Sequence, residues 1–124
     1  MRRRAALTLA ACITAGTTLL ATPAHASGSD RVKCTSMSNG QLCISLNTSP
    51  SRIEVFYTKK DGATIKAHLG FRSTATNWGG LKTISKGERA NSTWNMSYPC
   101  AGRKYVGLIK VEGQQTFETP AATC

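Results

Sequence analysis

Chemistry-bearing residues are scarce in this sequence. It holds two histidines and six acidic residues, and no G-x-S-x-G, P-loop or H-E-x-x-H pattern occurs in it. General acid–base catalysis needs a histidine or a carboxylate in a tuned environment. Asp30 stands near the start of the domain, Asp61 belongs to a turn, and Glu54, Glu88, Glu112 and Glu118 are scattered. There is no Cys-x-x-Cys, and the acids form no cluster that would cage a metal ion. Aromatic residues make up only 6%, and no dense basic run is interleaved with them as a nucleic-acid surface requires. Past residue 26 no apolar stretch could cross a bilayer, and no window shows a helical period. The expectation is a non-enzyme with no catalytic or metal-binding residues, no cofactor, no nucleic-acid partner and no membrane span.

What is present begins with an export signal. Met1-Arg2-Arg3-Arg4 is a compact positive start, Ala5 to Ala21 is apolar apart from Thr and Gly, and Pro23-Ala24-His25-Ala26 ends in a small-x-small cleavage pattern. Charge, apolar core and cleavage site in that order describe a secretory signal peptide. Leu9-Ala10-Ala11-Cys12 resembles a bacterial lipoprotein box, but lipidation there would strand the apolar run from Ile13 to Ala21 on the mature protein. The reading is therefore a cleaved signal at 1–26 and one secreted domain at 27–124. Removing 26 of 124 residues leaves 98, a single-domain length. Three arginines leave with the signal, so 13 basic residues face 6 acidic ones.

Cleavage also discards Cys12 and leaves Cys34, Cys43, Cys100 and Cys124. An even count in a short exported chain implies two disulfides. Of the three possible pairings, Cys34–Cys43 with Cys100–Cys124 is favoured. Ser38-Asn39-Gly40-Gln41 is a hairpin turn signal between the first two cysteines, and a bond at the C-terminal Cys124 would hold an end that otherwise frays.

Apolar and polar residues alternate along most of the mature chain. Leu42, Ile44 and Leu46 share one face; so do Ile53, Val55 and Tyr57, then Ile65, Ala67, Leu69 and Phe71, then Trp94, Met96 and Tyr98. Lys104 to Val111 reads as a central strand and Gln114 to Thr119 as a weaker last one. Period-two alternation between Gly, Pro and Asn clusters predicts an all-β fold, a small antiparallel sandwich or barrel with two disulfides. Lys60-Asp61-Gly62 reads as a three-residue hairpin loop with Gly62 at positive φ. That register would pair Tyr57 with Ile65, Val55 with Ala67 and Ile53 with Leu69, and would turn His68 outward. Ser73 to Gly80 reads as a long loop carrying a partly exposed Trp78, and Ser27 to Lys33 as a flexible end.

With catalysis set aside, the surface carries the function. Trp94 falls in a core register, whereas Trp78 is placed as a binding anchor. Lys86 beside Gly87, and Arg103-Lys104 beside Cys100, are further candidate contacts. The design is similar to that of many small exported bacterial proteins, among them enzyme inhibitors, adaptor subunits and wall-binding or antimicrobial proteins. The first expectation is a secreted protein-binding module, either an adaptor in an extracellular assembly or an inhibitor of a secreted enzyme, whose partner is another secreted or surface protein. The alternative is a cationic antimicrobial or cell-wall glycan-binding protein.

Overall fold

The structure, a computed structural model, describes residues 29–97, 99 and 102–124. The expected export segment, Tyr98 and Cys100 lie outside the described residues. After a short 3-10 turn at Ser29–Arg31 come eight strands: β1 (Val32–Met37), β2 (Gly40–Thr48), β3 (Ser51–Lys59), β4 (Ile65–Arg72), β5 (Thr76–Ile84), β6 (Arg89–Asn95), β7 (Val106–Val111) and β8 (Thr116–Glu118). They form two four-stranded antiparallel sheets, ordered β1-β2-β3-β6 and β5-β4-β7-β8. Across the interior β2 lies opposite β7, β3 opposite β4, and β6 opposite β5. The all-β expectation resolves into a sandwich rather than a barrel.

The alternation explains the layers. Leu42, Ile44 and Leu46 face Tyr57, Val55 and Ile53 across the β2–β3 ladder. All six are buried, as are Ala67, Leu69, Phe71, Ile109 and Val111 from the opposite sheet. Burying a Leu, Ile or Phe side chain contributes about 1.5–3 kcal/mol, and two such faces pressed together supply the core. Trp94 packs against this core, its ring edge-on to Phe71 at 5.0 Å.

Three expectations are corrected. β3 and β4 are not a hairpin: β3 pairs with β2 and β6, and β4 with β5 and β7. Period-two patterning demands only that Tyr57, Val55 and Ile53 meet the face carrying Ala67 and Leu69. Packing across two layers satisfies that demand as well as pairing within one. Gly62 does take a positive φ of 82°, but in a link between sheets. Second, Ser73 to Gly80 is not a long loop; β5 starts at Thr76. Third, Ser29 to Lys33 is ordered as the 3-10 turn and the start of β1, and Thr123 N–H donates to the Asp30 carbonyl at 2.8 Å. Thr123 thus ties down the segment that leads into β1.

Cys34 and Cys43 stand opposite each other on β1 and β2 and form a disulfide. The Cys100 half of the second expected bridge lies outside the described residues. The Cys34–Cys43 bond closes a loop of sequence separation 9, for which chain entropy predicts roughly 2.5 kcal/mol. The double variant Cys34→Ser/Cys43→Ser is therefore expected to lose about that much, read as a lower unfolding free energy in urea. A loss below about 0.5 kcal/mol would show that β1 is held by its ladder alone.

Candidate functional site

The outer face of the β5-β4-β7-β8 sheet is set by register. Trp78 of β5 pairs with Gly70 of β4, which pairs with Leu108 of β7, which pairs with Glu118 of β8. The next row runs Leu81, His68, Lys110 and Thr116. Trp78 and Leu81 are three residues apart, so a regular strand would point them to opposite faces. The β4–β5 register shifts between His68 and Gly70. This β-bulge, at Gly79-Gly80 on the β5 side, adds one residue and returns both side chains to the same face. The result is an apolar pair on an edge strand, with Trp78 41% and Leu81 48% exposed. Among the described residues the other exposed large hydrophobic side chain is Val32, on the opposite sheet.

Gly70 fixes how the indole lies. A Cβ there would sit 2.7 Å from Trp78 Cε3 and 2.6 Å from the Asn77 carbonyl oxygen. The six-membered part of the ring therefore rests on the glycine, and its other face is open. Leu108, the next residue in this row, is only 2% exposed although it points away from the core. Its large neighbours on this face are Trp78 and the Arg72–Glu118 pair. Arg72 and Glu118 form a two-point ion pair, with Nη2 to Oε2 at 3.1 Å. The guanidinium holds the Glu118 carboxyl below its ordinary value.

A depression of about 260 Å³ opens beside the indole, lined by Trp78, His68 and Lys110. His68 Nδ1 lies 2.9 Å from the Gly79 carbonyl oxygen. A carbonyl can only accept, so His68 Nδ1 carries a proton and the ring turns Nε2 away from that carbonyl. Lys110 contributes a donor. The surface thus combines an aromatic face, an exposed aliphatic side chain, an imidazole and one cation. Gly70→Ala is expected to cost about 1–3 kcal/mol through overpacking and to move the Trp78 indole N–H resonance. An unshifted resonance would show that the ring does not rest on Gly70.

The other anticipated contacts do not join this surface. Lys86 sits in the turn between β5 and β6, its amine 3.7 Å from Asp61 Oδ1. That turn is closed by Glu88 N–H to the Ser85 carbonyl at 3.0 Å and anchored by Gly87 N–H to the Lys59 carbonyl at 2.8 Å. Arg103 and Lys104 are exposed just before β7, at the opposite end of the sandwich from Lys86, because β5 and β7 both run antiparallel to β4 and so begin at the same end. Leu81, His68 and Lys110 were not singled out from the sequence as binding residues. The signal for Leu81 was Trp78-Gly79-Gly80-Leu81 itself, where paired glycines in a strand mark a bulge.

On the opposite sheet, Glu54 takes Arg89 at 3.4 Å and Arg52 at 3.9 Å, and the Arg89 guanidinium stacks 3.8 Å from the Phe56 ring centre. Two guanidinium groups share this one carboxylate, and Arg52 Nε is buried without a hydrogen-bond partner. Among the described residues no three His, Cys, Asp or Glu side chains gather as a metal site, and no helix is long and apolar enough to cross a membrane. Comparison with known proteins finds no matching family model, no matching curated protein and no matching solved structure.

Proposed function

We propose that this is a secreted, non-enzymatic protein-binding module that engages its partner through the outer face of the β5-β4-β7-β8 sheet. The observation that carries the reading is the exposed Trp78–Leu81 pair, brought to one face by a bulge. Exposed aromatic and aliphatic side chains set side by side mark interaction surfaces. Lys66 and Lys110 stand on the same face, so the partner that fits offers an apolar side chain flanked by carboxylates. The Cys34–Cys43 disulfide is compatible with an extracellular location. An adaptor role fits this flat sheet surface better than protease inhibition through Lys86, whose tight turn cannot lie extended in a cleft.

A second reading has its own support. The open Trp78 face beside the His68 imidazole and the Lys110 donor also suits a cell-wall glycan. The two separate experimentally. Mature protein and the Trp78→Ala and Leu81→Ser variants are immobilised and exposed to the native culture medium, and also to peptidoglycan and chitin. Protein binding predicts a polypeptide retained by the parent and lost from both variants. Glycan binding predicts retention of polysaccharide that needs Trp78 but tolerates Leu81→Ser. Equal retention by all three would overturn both.

A further inference from the structure

A second site lies on the other side of the molecule. β1 and β8 are the edge strands of their respective sheets. β8 has three residues against six in β1, so the two layers are left open between them. The opening is a cleft of about 200 Å³, more than the roughly 150 Å³ that admits benzene in an engineered core. Met37, Ile65, Val111 and Phe117 contribute apolar wall, and Tyr57 and Lys59 lie at the deep end.

Lys59 is the anomaly. It is 1% exposed, and a lysine is almost never so buried unless paired. Its amine donates to the Asp61 carbonyl at 2.5 Å, which uses one of three donors. Among the described residues no carboxylate lies within ion-pair distance of it: Asp61 reaches Lys86, Glu54 its arginines, and Glu118, at the cleft rim, Arg72. A buried cation without a counter-charge is costly, and an anion seated beside it recovers part of that cost. Tyr57 is 2% exposed, and burial raises the pKa of its hydroxyl, so at neutral pH it remains a donor.

We infer that this cleft binds a small amphipathic monocarboxylate, its carboxylate directed to Lys59 and Tyr57 and its apolar body held between Met37, Ile65, Val111 and Phe117. This site is independent of the Trp78 surface and does not rest on the function proposed for it. The test is NMR titration of the mature protein with benzoate, and with benzyl alcohol as the uncharged control. Saturable shifts of the Met37, Ile65 and Val111 methyl resonances are expected with benzoate, at least about tenfold weaker with benzyl alcohol. Lys59→Met should abolish the preference for the carboxylate. Tyr57→Phe, which removes one hydroxyl from the core, should weaken benzoate binding severalfold in a folded protein even if Lys59→Met does not fold. No saturable shift at millimolar benzoate would overturn the inference, as would equal affinity for the alcohol or undiminished benzoate binding by Tyr57→Phe.

Discussion

Phe71→Ala is expected to lower the unfolding free energy by about 3–5 kcal/mol. The side chain is 3% exposed, meets Trp94 edge-on at 5.0 Å and lies 6.1 Å from the Tyr105 ring. Removing it deletes the transfer free energy of the ring and leaves a cavity that the close-packed surrounding side chains fill only in part. A domain of this size has about 5–15 kcal/mol in total, so the variant should melt roughly 15–30 °C lower. Thermal unfolding followed by circular dichroism measures this. A change under about 1 kcal/mol would mean that the layers reclose over the vacancy. Trp94→Ala should be milder, because Trp94 is only partly buried.

The second large effect concerns binding rather than stability. Trp78→Ala is expected to reduce affinity for the partner at least about thirtyfold, the scale of an anchor worth 2 kcal/mol. Loss of the indole uncovers Leu108, so a stability loss near 1 kcal/mol accompanies it. The two aromatic substitutions therefore have opposite profiles. Phe71→Ala at a temperature where it is still folded should bind normally, and Trp78→Ala should fold and bind poorly. Surface plasmon resonance on both variants, alongside their melting curves, checks the contrast. Full affinity in Trp78→Ala would remove this face from the proposed function.

Alternation along β2, β3 and β4 was readable without coordinates, and with it the core residues from Leu42 to Phe71. The pleat forces each second side chain to one face, so a periodic pattern states burial directly. Cys34 and Cys43 were equally readable, because a turn signal between two cysteines places them opposite each other. β5 was not. Its glycines and polar residues resemble a loop, and β propensity is weak where a strand is an exposed edge. Only pairing with β4 makes Thr76 to Ile84 a strand.

The same distinction separates Trp78 from its surroundings. It stood out as a lone aromatic among turn formers, so its partial exposure could be anticipated from the sequence. Its neighbours on the adjacent strands could not, since Gly70, His68 and Lys110 come beside it only through the β4–β5 and β4–β7 ladders. The sequence by itself determined that the chain beyond residue 26 would form an all-β domain with few catalytic groups, because composition and two-residue periodicity are local properties. The tertiary structure alone decided which strands share a sheet, since apolar faces can meet by pairing or by stacking. It also decided that a bulge would set Leu81 beside Trp78, and that Lys59 would be buried at the end of a cleft.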